Sequence, residues 1–380
     1  MENRLKETRE SLGLLKSELK APSSLLLDLS EREDYFHDAT VHSSEPAGLL
    51  LAESVEDIVA AVKFCKKSDI AITVRGAGTG LSGGCVASSN ALVLSTELMQ
   101  ELDIDVPQAI AICSPGVITK DIQDAAAVCG LTYPPDPASY AESTLGGNVA
   151  ENAGGLRCKK YGVTKDYVVG LEAILAGGVQ ISTGIFNDNR GFSIGDLLIG
   201  SEGTLAIITR IAVRLLPLPA HGTTILASFQ TMTEAAKTVS AITAAGIIPT
   251  VLEFIDGDAV ECSNQYEANE GLSTASAILL IETVAEAGKE QVEAITSICD
   301  ANGVQFLKSE LDPKKAEELW KVRRNLSHAV KAIASYAISE DVVVPNSRFP
   351  ELVGFVSVMN SASPLRINSF GHAGDGNLHV

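Results

Sequence analysis

An apolar run that reads as a β-strand, Ile70 to Val74, leads directly into the sequence RGAGTGLSGG, Arg75 to Gly84, here called the first glycine loop. Five of its ten residues are glycines. Glycines at this density let backbone N–H groups approach a ligand with no Cβ in the way. Successive free N–H groups in such a turn form a concavity that binds anions, phosphate above all. We therefore expect this loop to hold a phosphate-containing ligand.

The same loop contains the spacing G-x-G-x-x-G at Gly78, Gly80 and Gly83, which in dinucleotide-binding folds opens a helix. Here small and polar residues lead to a new apolar run at Ala91, and no helical pattern intervenes. A parallel crossover needs a dozen or more residues, usually a helix. The context of an NAD site is therefore missing. A phosphate cradle of another kind is the favoured interpretation, and a glycine-rich loop without a ligand is the alternative.

The composition limits the class of partner. The chain has 380 residues, 46% of them hydrophobic, and a formal net charge of −19, which disfavours nucleic acid and anionic membrane surfaces. The first glycine loop holds one arginine and no lysine, so backbone N–H groups must bind most of any phosphate there. No apolar run reaches the ~18 residues of a membrane span. Seven scattered cysteines without a C-x-x-C pair are typical of reduced thiols, so we expect a cytoplasmic location.

Two more glycine-rich segments follow, residues 143–155 and residues 198–208, here called the second and third glycine segments. A rigid proline loop, Tyr133 to Pro137, precedes them. Each segment alone could be no more than a set of β-turns. Three together suit a long, phosphate-containing cofactor that is held on several sides.

The sequence changes character at Leu216-Pro217-Leu218-Pro219. Beyond this point, predicted strands at Thr224–Phe229 and Ala277–Glu282 belong to two β-α-β patterns, which predict an antiparallel sheet with helices on one face. The chain start, Met1 to Ser30, has the pattern of a leading helix, and Ser54 to Asp57 resemble a capping box that starts a second helix. We therefore expect an N-terminal helix and linker over residues 1–45, one domain over 46–219 and a second over 220–380.

Six strings together resemble the FAD-linked oxidases of the vanillyl-alcohol oxidase superfamily, most of all its glycolate oxidase and D-lactate dehydrogenase members. The strings are RGAGTGLSGG from Arg75, YPPDP from Tyr133, STLGGNVAENAGG from Ser143, KYG from Lys160, GSEGTL from Gly200 and GHAGDGNLH from Gly371. The resemblance implies an α+β fold, in which a two-subdomain PCMH-type FAD-binding domain is followed by a ferredoxin-like α+β cap domain.

The resemblance also implies an FAD site built from all three glycine regions. Thr79 stands where covalently flavinylated relatives carry a histidine, so FAD is expected to be noncovalent. The implied residues are Arg75, Gly76, Ala77, Gly78, Thr79, Gly80, Ser82 and Gly83 around the pyrophosphate; Pro135, Asp136, Thr144, Gly147, Asn148, Asn152, Gly154 and Gly155 along the flavin and its linker; Tyr161 and Gly162 near the isoalloxazine; and Glu202, Gly203 and Ile207 near the adenosine.

The implied reaction is oxidation of a small 2-hydroxy acid, with hydride transfer to flavin N5 and electrons passing to a quinone or iron–sulfur acceptor. Such a substrate needs a cation for its carboxylate and a base for its hydroxyl proton. The string from Trp320 to Arg323 resembles the family pattern W-x-x-R, which implies that Arg323 binds the carboxylate, with Ser327 sharing the site. Without the resemblance, Arg323 would read as a solvated charge on a helix.

The tail carries two histidines around Asp375-Gly376, a strong signal for a two-residue hairpin turn. Pairing outward from this turn places His372 opposite His379, with Cβ atoms about 4.5–5.5 Å apart. Two such imidazoles are either structural or share a metal ion, which still needs a third ligand. The resemblance implies that both histidines are catalytic and bind a divalent metal such as Zn²⁺.

The relatives continue into an E-H-G string, whose Glu resembles the third metal ligand and whose His resembles the general base. This sequence reaches Val380 without such a string, so we expect a truncated chain. The alternative function is then a flavin-binding but catalytically incomplete fragment or assembly subunit. A third hypothesis, an NAD-dependent dehydrogenase, is disfavoured by the missing helix after the first glycine loop.

Overall fold

The computed structural model describes residues 2–187, 193–267, 276–285, 288–333 and 338–380. The chain forms two compact units. Unit 1 comprises Met1–Gly154 and Val163–Leu218, and unit 2 comprises Gly155–Gly162 and Pro219–Val380. The expected domain over 46–219 is therefore interrupted, because residues 155–162 pack with unit 2. Residues 1–45 are part of unit 1.

The helices of the described residues are, in chain order, α1 Glu2–Leu15, α2 Val55–Lys67, α3 Thr119–Val128, α4 Leu145–Glu151, α5 Cys158–Tyr161, α6 Gly195–Leu198, α7 Met232–Ala244, α8 Gly257–Tyr266, α9 Gly288–Ala301, α10 Pro313–Arg324, α11 Leu326–Ile333 and α12 Phe349–Ala362. Among them we find none that is both long and apolar enough to cross a bilayer.

The strands are β1 Leu25–Leu26, β2 Gly48–Leu51, β3 Ile72–Arg75, β4 Leu92–Ser95, β5 Leu102–Asp105, β6 Ile110–Cys113, β7 Leu131–Thr132, β8 Val168–Leu175, β9 Gln180–Gly184, β10 Ala206–Arg214, β11 Leu216–Pro217, β12 Thr224–Phe229, β13 Val251–Asp256, β14 Ala277–Glu282, β15 Val304–Glu310, β16 Asp341–Val343, β17 Phe370–Gly371 and β18 Asn377–His379.

Unit 1 contains two main sheets. One has the order β1-β2-β4-β3, with β2, β4 and β3 parallel, and the other is the antiparallel sheet β5-β6-β10-β8-β9. Helix α2 begins where its capping signal predicts, because the Ser54 hydroxyl accepts the Asp57 N–H at 3.2 Å. Its residues Ile58 and Val62 are buried with Leu92 of β4 in one core.

The start of the chain differs from the expected long helix and linker. Helix α1 ends at Leu15, well before Ser30. Leu12 and Leu15 are fully buried, in the same core as Ile58 of α2. The leading segment is therefore an integral part of unit 1, because its leucines complete that core.

Strands β3 and β4 pair in parallel, with Arg75 opposite Ser95. Residues 76–91 form the entire connection and contain no helix, as the sequence predicts. The parallel pair is possible without a crossover helix because this loop is itself long enough to return the chain. The first glycine loop therefore lies at the carboxyl end of a parallel strand.

Unit 2 is built on a seven-stranded antiparallel sheet with the order β15-β12-β14-β13-β17-β18-β16. Helices α7, α9 and α12 pack on one face, and α8, α10 and α11 on the other. The expectation of helices on one face was wrong, because the central strands are apolar on both. On β13, Leu252 and Phe254 enter one core, and Val251 and Ile255 enter the other. The predicted α+β class is confirmed.

Candidate functional site

In unit 1 the three glycine-rich regions come together. A Cβ added to Gly76 of the first loop would overlap the Thr144 hydroxyl of the second segment. A Cβ added to Gly84 would lie 3.4 Å from Oε2 of Glu202 in the third segment. The Glu202 N–H donates to the carbonyl of Ala150 at 2.9 Å. Residues far apart in sequence therefore line one glycine-rich surface.

The first glycine loop leaves its backbone donors free. Within the described part of the chain, no N–H from Gly76 to Gly84 donates a hydrogen bond. Gly78 and Gly83 have φ of +74° and +79°, a conformation that L side chains rarely adopt. A concave backbone with unused donors fits an anionic group such as a phosphate.

The predicted polar residues of the second segment use their side chains to shape it. The Thr144 hydroxyl caps α4 by accepting the Gly147 N–H at 3.2 Å. Asn148 Nδ2 donates to the Thr119 hydroxyl at 2.5 Å, and both residues are buried. Asn152 lies in the left-handed region at φ +52°. This segment is thus held rigidly beside the first loop.

The proline loop is tied to α3 and to the second segment. Gln123 of α3 donates through Nε2 to the carbonyl of Pro135 at 3.0 Å. Two turns then lead to the cap of α4, with Tyr140 N–H donating to Pro137 O at 2.8 Å and Ser143 N–H donating to Ser139 O at 2.7 Å. The predicted residues Pro135 and Asp136 therefore belong to a fixed loop.

An apolar cavity of about 320 Å³ borders the third glycine segment. Its walls include Ile72 and Val74 of β3, together with the predicted residues Gly203 and Ile207. A concave, mostly apolar space of this kind suits a flat aromatic ring.

The side chain of Arg75 turns behind the first glycine loop. Its Nη1 donates to the His37 carbonyl at 2.7 Å, and its Nη2 donates to the Asp34 carbonyl at 3.0 Å. The guanidinium lies 5.3 Å from the centroid of the Tyr35 ring, and the residue is 6% exposed. The guanidinium therefore contacts the chain itself, and the contact of Arg75 with the cofactor stays a prediction.

Two carboxylates face the other end of that loop. Glu151 Oε1 lies 3.5 Å from the Ser82 hydroxyl, and a Cβ on Gly80 would lie 3.8 Å from the same carboxylate oxygen. Burial and the charge of Glu202 raise the pKa of Glu151. This end of the loop is therefore less favourable for an anion than the end above Arg75.

In unit 2 a second cluster centres on Glu253 of β13, which is fully buried. Arg323 donates through Nε to Glu253 Oε2 at 2.6 Å, and His372 donates through Nδ1 to Oε1 at 2.6 Å. Burial alone would raise the pKa of Glu253, but the charges of His372 and Arg323 and their hydrogen bonds outweigh it and lower that pKa to about 2. One carboxylate thus holds two of the predicted site residues.

Arg323 lies in the last turn of α10 and is 6% exposed, so it is not a solvated surface charge. Its guanidinium also lies 5.0 Å from the centroid of the Phe370 ring. Among the described residues, only its Nε has a hydrogen-bond partner, which leaves both terminal nitrogens for a ligand. The neighbouring Arg324 is exposed and pairs with Glu317 instead. Ser327 lies in α11, and its side chain is outside the described residues.

His379 lies beside His372, with ring centroids 5.2 Å apart. Its Nδ1 hydrogen-bonds to Asp341, and this bond is the main cause of the lowered pKa of Asp341. Both Nδ1 atoms therefore face carboxylates, and neither Nε2 has a partner among the described residues. Carboxylates that orient histidines in this way are common around metal sites.

The histidines reach this arrangement by a different register from the predicted one. His379 pairs with Phe370, rather than with His372. The two-residue hairpin was wrong because Ala373–Asp375 form a 3₁₀ turn, in which the Asp375 N–H donates to the His372 carbonyl at 2.9 Å. His372 thus leaves the strand, yet its ring still meets that of His379.

The fit of a divalent metal to this pair is incomplete within the described residues. They contain no group of three or more His, Cys, Asp or Glu side chains that could hold a metal ion. A protein site for Zn²⁺ uses three or four such ligands, and His372 and His379 supply two. We therefore derive no chemical step through a metal.

Three predicted cofactor residues, Gly155, Tyr161 and Gly162, belong to unit 2. Helix α5 packs against β13 and against the turn that follows His372. A Cβ on Gly374 of that turn would lie 3.3 Å from Lys159 Cβ. Helix α5 and its Lys159 therefore lie beside β13, the strand that carries Glu253, and beside the turn after His372.

Sequence reasoning missed Glu253 and Asp341. A signal for Glu253 was present, because it is the one charged residue within the apolar run Val251 to Ile255. A charge inside a buried strand is rarely found without a partner. Asp341 begins a short exposed strand, β16, and no pattern in the sequence singles it out.

Comparison with known proteins identifies the family. Residues 46–184 match the family described as FAD binding domain, and residues 218–380 match the family described as FAD linked oxidases, C-terminal domain. Glycolate oxidase subunit GlcD of Bacillus subtilis is 41% identical over 355 residues, which cover 91% of this chain and 75% of that protein. D-lactate dehydrogenase of Archaeoglobus fulgidus is 35% identical over 329 residues, which cover 85% of this chain and 72% of that protein.

Solved structures with low sequence identity share the fold. Alkyldihydroxyacetonephosphate synthase superposes with a TM-score of 0.80 at 18% identity, covering 97% of this chain and 79% of that one. p-Cresol methylhydroxylase superposes with a TM-score of 0.79 at 14% identity, and the match covers 100% of this chain and 83% of that one. These likenesses bear on the PCMH-type architecture alone.

Proposed function

Because the chain belongs to the FAD-linked oxidases, we propose that it oxidises a small 2-hydroxy acid of the glycolate or D-lactate type and passes the electrons to an acceptor other than NAD. The chain is an FAD-dependent oxidoreductase related to a glycolate oxidase subunit and to D-lactate dehydrogenases. The identity of the substrate and of the acceptor, either a quinone or an iron–sulfur protein, is the proposed part.

The observation that carries the proposal is the Glu253 cluster. Glu253 accepts from the Nε of Arg323, and the two terminal nitrogens of the guanidinium have no hydrogen-bond partner among the described residues. A planar guanidinium with two free terminal nitrogens suits a bidentate carboxylate. Phe370 covers one face of the guanidinium and limits its motion. In this proposal Arg323 binds the substrate carboxylate.

The same carboxylate sets the orientation of His372. Since Glu253 accepts from Nδ1, the free Nε2 is the atom that can meet the substrate hydroxyl. His379 is oriented in the same way by Asp341. We assign to this pair the hydroxyl end of the substrate, where the Nε2 atoms of the two imidazoles can hydrogen-bond with the hydroxyl group.

The glycine-rich surface of unit 1 fits FAD. Free N–H groups in the first loop suit the pyrophosphate, and the apolar cavity beside Gly203 and Ile207 suits the adenine ring. FAD supplies the hydride acceptor when it is bound. With Thr79 and no histidine in the first loop, we propose that FAD is held without a covalent bond.

An anaerobic titration tests the substrate class. The FAD-loaded protein is mixed without oxygen with glycolate, D-lactate, L-lactate or D-2-hydroxyglutarate, and the visible flavin absorbance is followed. We expect at least one of these acids to bleach the flavin, and NADH to leave the spectrum unchanged. A protein that binds FAD but is bleached by none of them would contradict the proposal.

That negative result would favour the second candidate, a flavin-binding but catalytically incomplete fragment or assembly subunit. The observation that keeps this candidate open is the absence of a third metal ligand near the two histidines in the described residues. Bleaching at a rate independent of added divalent metal would remove this reason for it.

A further inference from the structure

We propose that Arg75 is a positioning residue that acts on the cofactor pyrophosphate from behind the first glycine loop, without touching it, and that residues 34–39 hold it there. This proposal uses the FAD site assigned above, and it is independent of the substrate. It gives the leading segment of the chain a role in cofactor affinity.

The position of the guanidinium is fixed by backbone carbonyls. Nη1 donates to His37 O at 2.7 Å and Nη2 to Asp34 O at 3.0 Å, while Tyr35 stacks beneath at 5.3 Å. These partners lie in one short segment. The side chain therefore has little freedom to swing out and grip a phosphate directly.

The charge of Arg75 has no carboxylate partner. Among the described residues, no Asp or Glu oxygen lies within 4.0 Å of this guanidinium, and its other side-chain contact is Cys85 Sγ at 3.4 Å. A buried cation paired only with neutral groups is costly. A doubly negative pyrophosphate on the loop would supply the missing counter-charge.

The loop backbone passes directly over the guanidinium. A Cβ on Gly78 would overlap the Arg75 nitrogens, so only glycine allows this approach. The opposite end of the loop faces Glu151 and Glu202. The electrostatic potential along the loop is therefore expected to be more positive near Gly78 and more negative near Gly84. A pyrophosphate is favoured at the Gly78 end.

The segment that holds Arg75 also holds the loop. Ala39 N–H donates to the Gly80 carbonyl at 3.1 Å, and Tyr35 hydrogen-bonds through its hydroxyl to Glu97. Residues 34–39 thus contact the guanidinium and the loop backbone together. Since α1 and β1 bury their leucines in the core of unit 1, the segment is anchored from the rear.

The experiment compares flavins with and without phosphate. The protein spanning residues 1–380 is freed of flavin, and the dissociation constants of FAD and riboflavin are measured by fluorescence for the wild type, Arg75→Met and Arg75→Lys. The control is Arg32→Met, an exposed arginine two residues before this segment. We expect Arg75→Met to raise the dissociation constant of FAD by about tenfold or more and that of riboflavin by less than about twofold. The reason is that, of these two flavins, only FAD carries phosphates.

Two further readouts separate this role from a structural one. Arg75→Lys keeps the charge, so it should retain the preference for FAD over riboflavin. Added salt should weaken FAD binding by the wild type more than by Arg75→Met. The proposal would be overturned if Arg75→Met and Arg75→Lys both lost equal affinity for FAD and riboflavin. It would also be overturned if the wild type and Arg75→Met showed the same salt dependence of FAD binding. A failure of 2-hydroxy acids to bleach the flavin would leave these binding results unchanged.

Discussion

At the residue scale, the chemistry of unit 2 depends on one buried carboxylate. Glu253 lies at 0% exposure and accepts from both Arg323 and His372. An ion pair at such a position is costly to form, but breaking it by removing one partner leaves an uncompensated buried charge. Glu253 therefore explains why a guanidinium and an imidazole can remain close together in the interior.

Replacement of this carboxylate should destabilise the fold strongly. We expect Glu253→Gln to lower the free energy of unfolding by about 3–5 kcal/mol, because Arg323 and His372 then share no counter-charge. Denaturant unfolding measures the change. The control Glu261→Gln, on the exposed side of α8, should stay within about 0.5 kcal/mol of the wild type. Equal effects of the two substitutions would contradict this role.

The difference in the free energy of unfolding between Glu253→Gln and the wild type should depend on pH. The pKa of Glu253 is lowered from 4.5 to about 2 in the folded state. A carboxyl group with a lowered folded pKa stabilises the fold above its unfolded pKa, and loses that contribution as the pH falls toward its folded pKa. Denaturant unfolding should therefore show the full difference in stability between the two proteins near neutral pH and a smaller difference below pH 4.5. A difference that grows on acidification would be inconsistent with an ionised Glu253.

The cysteines give a separate residue-scale prediction. All seven are thiols rather than disulfides in the structure, and burial raises the pKa of Cys65, Cys113 and Cys299 to about 12. The thiolate is the reactive form, so these three should not react with a thiol reagent in the folded protein at mildly alkaline pH. The exposed Cys129 should react first. Mass spectrometry after brief labelling checks the order, and early labelling of Cys299 would show that the unit 2 core opens readily.

At the scale of elements, the first glycine loop joins two parallel strands without a helix. Its glycines differ in what a side chain at each position would contact. Gly78 and Gly83 both have positive φ, but a Cβ on Gly78 meets the Arg75 guanidinium, whereas one on Gly83 meets nothing within 4 Å. The two positions thus form a matched pair that separates backbone strain from displacement of Arg75.

This pair yields a prediction for cofactor binding. Both Gly78→Ala and Gly83→Ala should cost about 1–2 kcal/mol of backbone strain. Only Gly78→Ala should also push Arg75 from its carbonyls, so it should weaken FAD binding well beyond the effect of Gly83→Ala. Thermal unfolding and flavin titration of the two variants check this. Equal FAD affinities would mean that the close approach over Arg75 has no effect on the cofactor.

At the scale of the whole molecule, the sequence was most informative where local patterns decide the structure. The strands Thr224–Phe229 and Ala277–Glu282 and the start of α2 at Ser54 follow the predicted bounds. These elements combine a strong apolar run or a cap with no competing long-range contact. The α+β class, the FAD cofactor and the family followed from motifs in the correct order.

Long-range packing decided the features that the sequence did not predict. The return of residues 155–162 to unit 2 and the helices on both faces of its sheet depend on contacts between distant segments. The turn after His372 became a 3₁₀ turn, which changed the strand register while keeping His372 beside His379. Glu253 was readable as a misplaced charge, but its two partners were not, since they lie 70 and 119 residues away along the chain.

The substrate site is tested most directly by a comparison of two adjacent arginines. Arg323 is buried in the Glu253 cluster, and Arg324 is exposed and paired with Glu317. FAD-loaded Arg323→Met and Arg324→Met are mixed anaerobically with the best-reacting 2-hydroxy acid, and the rate of flavin bleaching is recorded. We predict that Arg323→Met bleaches at least about a hundredfold more slowly at low substrate, as loss of a buried carboxylate contact implies, while Arg324→Met matches the wild type. Equal rates for Arg323→Met and the wild type would contradict the assignment of the substrate site.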